Sequence, residues 1–391
     1  MSLHEISTIP STRLIPPMSR FVSLLCALIA FTLLSGVASA VDVTTDPVGF
    51  TTASLLGNSD TLVSVPFTRS PEFTGAIASI SGNVITVSGN PGWATNPQQF
   101  VYAAGTQPKH YYALIGPSAK EGHAYQLIGN GSNSLTVDIT TDNLAGIAAN
   151  TQVVLIPHWT LGTVFPASDA NVSFTPTAAT RTFKTEILIP NYNAVGINPS
   201  ASAVYFFSNN VNGSTNNVGW RLVGDNTTPH DDDILIADGY FTVRNLNSAP
   251  TLPLTSIGAV LTKKLAALEI TRTNQPQDNP FSMVRPVGVS LNSTGLNPSD
   301  SSFVGTTSTR SFQDQLLVFN NGAVALNKSP SAIYFYSNNV NNTTNNVGWR
   351  LVGDNTTDHG PDIIPAGSAF IVRKAATATG QTVFWTNTPT Y

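Results

Sequence analysis

Apolar runs of four to seven residues, broken by Gly, Pro, Asn and Ser, recur along almost the whole chain. TLVSVPF (61–67), VITVS (84–88), TEILIP (185–190), AVYFF (203–207) and FIVR (370–373) are rich in β-branched and aromatic residues. Short runs of this kind with dense turn signals predict an all-β protein built as sandwiches or barrels. AIASI-SGN-VITVS (76–88) and YQLI-GNGSN-SLTVDI (125–139) read as hairpins, because Gly and Asn supply the left-handed backbone that tight turns need. Only LTKKLAALEI (261–270) and TTDNLAGIAAN (140–150) have a spacing that a short helix could use.

One polar stretch interrupts this pattern twice. SNNVNGSTNNVGWRLVGDNTT (208–228) returns as SNNVNNTTNNVGWRLVGDNTT (337–357), identical at 19 of 21 positions. At a constant offset of 129 residues, 180–245 aligns with 309–374 without a gap, with 39 of 66 positions identical. Two copies are too few for a solenoid and predict tandem β modules. DNPFSMVRPVGV (278–289) leads into the second copy, and its analogue in the first is DTLVSVPF (60–67), over 100 residues before Phe174. The expected organisation is therefore a first module made of 41–71 and 160–260, split by a small β-barrel inserted at 72–159. A linker at 261–277 would lead to a second module at 278–391. Insertion at a loop whose ends lie close together is physically tolerable.

The N-terminus adds an address. Arg20, the apolar run FVSLLCALIAFTLL and GVASA fit a secretory signal peptide at 1–40, with Met18 as a possible start and cleavage before Val41. The run is too short for a good membrane span, so no integral membrane segment is expected in the mature chain. Cys26, the only cysteine, would leave with the leader. The expected mature chain has 16 basic and 21 acidic residues, which gives no electrostatic case for nucleic acid.

TDPVGF (45–50), LLGNSDTLVSVPFTR (55–69), TRTFKTEILIPNYN (180–193), GWRLVGDNTT and PAGSAFIVRK (365–374) resemble a family of secreted, β-rich bacterial proteins that occurs as multiple paralogues. The resemblance spans nearly all of the expected mature chain. It implies secretion to the periplasm, cell surface or exterior and a modular build, and it brings no catalytic residues.

Candidate chemistry is sparse. There is no GxSxG elbow, His110, His123, His158, His230 and His359 form no triad spacing, and only Glu72, Glu121, Glu186 and Glu269 follow the leader. The leading expectation is a non-enzymatic envelope or extracellular-matrix protein that works by surface contacts with an envelope protein or an extracellular polysaccharide, and that needs no cofactor. Asp225, His230 and Asp233 align with Asp354, His359 and Asp362, so a divalent cation, and with it a cation-dependent secreted enzyme, stands as an alternative. The plainer reading makes these residues turn-capping groups. A polysaccharide-binding alternative uses Asn209, Asn210, Trp220 and Arg221 with their partners Asn338, Asn339, Trp349 and Arg350. Its plainer counterpart is a core Trp with the Arg packed outside. The aromatic C-terminus, TVFWTNTPTY, raises an outer-membrane barrel, which short strands and Pro389 disfavour.

Overall fold

The computed structural model describes residues 47–247, 251–296 and 298–391, so the expected leader at 1–40 lies outside the described residues. The protein is all-β. Strands β1 (Val48–Leu55) and β2 (Ser59–Val63) precede six strands that close into a barrel. These six are β3 (Phe73–Ser81), β4 (Val84–Val87), β5 (Tyr111–Ile115), β6 (Ala124–Asn130), β7 (Ser134–Val137) and β8 (Gln152–Pro157). A two-residue strand, β9 (Trp159–Thr160), and the single-turn helix α1 (Leu161–Val164) follow. Next come β10 (Thr185–Pro190), β11 (Ala201–Asn209), β12 (Val218–Leu222), β13 (Ile234–Leu235), β14 (Phe241–Asn245) and β15 (Leu252–Ala259). The second half contains β16 (Leu265–Ile270), β17 (Gln277–Ser282), β18 (Val289–Ser290), β19 (Gln315–Val318) and β20 (Ala332–Asn338). It ends with β21 (Val347–Leu351), β22 (Ile363–Ile364), β23 (Ala369–Lys374) and β24 (Thr382–Asn387).

The two halves share one plan. A five-stranded sheet of order β12-β11-β10-β14-β2 is matched by β21-β20-β19-β23-β17. The antiparallel ribbon β1-β15 is matched by β16-β24, and the short pair β13-β9 by β22-β18. Thus β2 sits beside β14 although the whole barrel lies between β2 and β9 in the chain. The ends of the barrel segment are adjacent, with the Glu72 N–H donating to Leu155 O at 2.9 Å. Trp159, expected at the end of the barrel, instead pairs with Leu235 in the first module.

The expected linker at 261–277 contains β16, and neither helical candidate forms a helix. Leu265, Ala267 and Glu269, on one face of β16, are all buried, while Leu268 and Ile270 on the other face are half-buried. Ala267 joins the second module's core, while Leu265 meets Tyr112, Leu114, Val154 and Ile156 on the outside of the barrel. Burial of every second residue along the strand overrides the helix preference of Leu and Ala. The 140–150 segment forms turns.

The modules face each other across a pseudo-two-fold relation. Asp60 N–H donates to Ala325 O at 2.8 Å, and Asp278 N–H donates to Gly196 O at 3.0 Å. Ser64 N–H reaches Gly367 O, and Ser282 N–H reaches Asp238 O, at 2.9 and 2.8 Å. Gly196 and Ala325 are 129 residues apart, as are Asp238 and Gly367, so each module covers the other's edge strand in the same way. An edge strand left bare would expose a row of unpaired backbone groups. Leu62 and Tyr240 from one sheet pack with Leu317, Ala369 and Ile371 from the other. Among the described residues no helix is long and apolar enough to cross a membrane. The barrel's apolar residues, among them Trp93, Phe100, Tyr111 and Leu155, fill its interior, whereas a membrane-spanning barrel turns such residues outward.

Candidate functional site

The repeated loops are built from asparagines that hold the backbone. Asn210 and Asn212 lie at φ 53° and 55°, and Asn339 and Asn341 at 54° and 56°, in the left-handed region that Asn tolerates better than most residues. Asn210 Oδ1 accepts the Asn217 N–H at 3.0 Å, and Asn339 Oδ1 accepts the Asn346 N–H at 3.1 Å. Asn217 Nδ2 then donates to Asn226 O at 2.8 Å, and Asn346 Nδ2 donates to Asn355 O at 3.0 Å, so the two loops of each module meet. The flanking Asn209 and Asn338 are exposed. The two differences between the copies obey the same geometry. Gly213 and Asn342 both have positive φ, and Ser214 gives way to another hydroxyl residue, Thr343.

Trp220 and Trp349 cannot serve as a ligand platform, because both are buried in module cores. Trp220 Nε1 donates to Phe165 O at 2.9 Å. Arg221 and Arg350 are also buried rather than packed along the outside. Arg221 Nε donates to Asn217 Oδ1 at 2.7 Å and its Nη1 to Trp220 O at 2.7 Å. Arg350 repeats both bonds with Asn346 and Trp349 at 2.6 and 2.7 Å. The binding reading of these four residues is therefore corrected. The arginine donors are spent on closing the loop.

The carboxylates of the Asp–His–Asp residues are likewise occupied. Asp225 Oδ1 accepts Thr228 N–H at 3.2 Å and the Thr227 N–H and hydroxyl at 3.1 and 2.9 Å. Hydrogen bonding to Thr228 and then Thr227 holds its carboxyl well below the usual carboxylate range. Asp354 does the same with Thr357 and Thr356. Asp233 accepts from the Tyr205 hydroxyl at 2.6 Å and contacts His230 Nδ1 at 2.9 Å. Asp362 holds Tyr334 and His359 at 3.0 and 2.8 Å. Among the described residues, no group of three or more His, Cys, Asp or Glu is arranged to hold a metal ion. These side chains cap turns and fasten them to β11 and β20.

A different site lies where the barrel meets both modules, a cleft of about 620 Å³. β6 and the following loops supply Tyr125, Gln126, Asp138 and Asp142; the segment after β13 supplies Ile236 and Asp238; β16 and β24 supply Leu265, Leu268 and Phe384. His123, just before β6, packs against Phe384 with ring centroids 4.0 Å apart and the planes tilted by 37°. Asp142 accepts from the Tyr125 hydroxyl at 2.6 Å and from Lys120, and it contacts His123 Nδ1 at 2.7 Å. Burial would raise its carboxyl, but the bonds from Lys120, Tyr125 and His123 outweigh burial and lower it. Burial pushes the His158 imidazole down to about 3, so it is neutral and its Nε2–H donates to Gln126 Oε1 at 2.7 Å. Asp238 makes no ion pair among the described residues, and burial pushes its carboxyl up to about 6.

This arrangement joins an apolar wall and a ring to a few fixed polar groups, the usual make-up of a small-ligand site. Sequence reading missed it. Its residues come from separate stretches spread between Tyr112 and Phe384, and no motif links them. No family model, curated protein or solved structure matches the chain.

Proposed function

We propose that this is a secreted, non-enzymatic modular β protein of the cell envelope or matrix, and that it binds a saccharide chain in the cleft between its barrel and its modules. The observation that carries this reading is the composition of the cleft. Phe384, backed by His123, offers a ring face for the C–H face of a sugar, while Gln126, Asp138 and Asp238 offer planar acceptors and a donor for paired hydroxyls. Catalysis fits less well. A glycoside hydrolase uses two carboxyls at a set separation, and Asp142 is already committed to Lys120, His123 and Tyr125. The saccharide reading thus moves from the Trp and Asn loops to the junction.

The test is binding of the purified chain to a glycan array and to insoluble polysaccharides. Phe384→Ala and Gln126→Ala should each weaken capture roughly tenfold, equivalent to about 1.4 kcal/mol. Asn209→Ala, in the repeated loop, should leave capture unchanged. Absence of any glycan binding, or loss confined to the loop variant, would remove the proposal.

A further inference from the structure

Three ionisable side chains meet inside the second module. Lys374 ends β23, Asp314 immediately precedes β19, and Glu269 stands on β16 across the core; their side chains are 1%, 1% and 0% exposed. Gln315 pairs with Arg373 in the β19–β23 register, so Asp314 and Lys374 are neighbours across adjacent strands. Lys374 Nζ lies 2.6 Å from Asp314 Oδ2 and 3.1 Å from Glu269 Oε2, and donates to Ser302 O at 2.8 Å. Backbone N–H groups fix the Asp314 carboxyl, Ala375 on Oδ1 and Val304 on Oδ2, both at 2.8 Å. Neither Glu269 oxygen has a well-directed hydrogen bond. Burial pushes its carboxyl up to about 8, so at neutral pH it carries a proton.

The fold does not require these charges. In the first module Thr185 stands at the position of Asp314 and takes the Thr175 N–H on Oγ1 at 2.9 Å, as Asp314 takes that of Val304. Asn245 replaces Lys374. Burying ions costs several kcal/mol each unless geometry repays it, and here a third ionisable group is added to a pair that the sister module omits. The chain also contains one cysteine and so cannot form an internal disulfide.

We propose that Lys374 and Asp314 condense into an intramolecular isopeptide bond, with Glu269 as the proton-transferring group. A proton passes from the ammonium to the carboxylate along their hydrogen bond, leaving a neutral amine and a carboxylic acid. The amine lone pair attacks Cγ of Asp314, and the carbonyl electron pair moves onto Oδ1, where the Ala375 N–H stabilises it. Glu269 gives its proton to the departing hydroxyl and accepts one from the attacking nitrogen. The Cγ–Oδ2 bond breaks, water leaves, and the amide and the protonated Glu269 remain. Nothing is oxidised or reduced. The low dielectric of the core favours each transfer by keeping the reactants uncharged.

Mass spectrometry of the full purified chain decides it. Wild type should be lighter by one water than the uncross-linked chain of the same sequence. After denaturation and trypsin, 311–328 should appear joined through Asp314 to 374–391. Glu269→Gln, which keeps the side-chain volume, should restore the full mass and release 311–328 free. A wild-type chain of full mass yielding free 311–328 overturns the proposal, even if a variant fails to fold. A Glu269→Gln chain that is still joined overturns the role of Glu269.

Discussion

At φ 53°, with its amide turned back on Asn217, Asn210 is held by backbone geometry rather than by any ligand. A left-handed backbone costs an ordinary L-residue about 1–2 kcal/mol. Asn210→Ala should therefore lower stability by about that amount or more, since a hydrogen bond goes too. Asn342→Gly should change little, because Gly213 already occupies that place in the sister loop. Thermal melts of the two variants, side by side, check both. Asp238 makes a pH prediction. Its carboxyl is raised to about 6, against an unfolded value of about 3.9, so the folded state holds the proton more tightly than the unfolded chain. Its contribution to stability is then full below pH ~4 and is lost as pH rises through 6. Asp238→Asn should flatten that part of the profile and melt above wild type at pH 7, measured in a buffer series.

At the level of strands, the repeated device is an Asp on the edge strand clasped by an Arg on its neighbour. Arg244 Nε and Nη2 reach Asp60 at 2.8 and 2.9 Å, and Arg373 reaches Asp278 at 2.7 and 3.0 Å. The same carboxylates accept the N–H of Asn327 and Asn198 from the opposite module, at 2.7 and 2.8 Å. Each clasp therefore holds a sheet edge and the module contact together. Removing one partner of a buried pair strands the other charge, so Asp278→Ala should cost about 3–5 kcal/mol in urea unfolding. Lys109→Ala breaks the exposed pair with Glu72, which keeps its bond from the Tyr111 hydroxyl, and should cost under about 1 kcal/mol. Equal losses would show that burial is not what gives the clasp its strength.

At the scale of the whole molecule, the barrel is a passenger with adjacent ends and a docking face. Replacing 73–157 by a short Gly/Ser connection should leave a cooperatively folding pair of modules, because Thr68 still pairs with Ala259 and β2 with β14. Such a chain should also expose Leu261, Leu265 and Val284, which the barrel now covers. Circular dichroism melts with a dye for exposed apolar surface test both halves, and a product without a cooperative transition contradicts the first. Outside the described residues, the expected cleavage before Val41 is checked by N-terminal sequencing of the released protein; a retained leader would sink it.

Alternation of apolar and polar residues and the density of Asn and Gly were enough to determine an all-β chain, because both report local backbone geometry. The 129-residue offset was equally plain, as it needs only the identity of the two GWRLVGDNTT stretches. Period-two patterning says that a strand has two faces and is silent on what each face meets. For that reason Trp220 read as either core or platform until Phe165 and Phe174 were seen around it. LAALEI read as a possible helix until Leu265 was found against the barrel and Ala267 in the second module's core. The reciprocal docking of β2 and β17, the cleft between Gln126 and Phe384, and the meeting of Glu269, Asp314 and Lys374 were decided only by tertiary structure. Each joins residues tens to hundreds of positions apart, and the energy that brings them together comes from burying sheet faces, not from any local preference of the residues themselves.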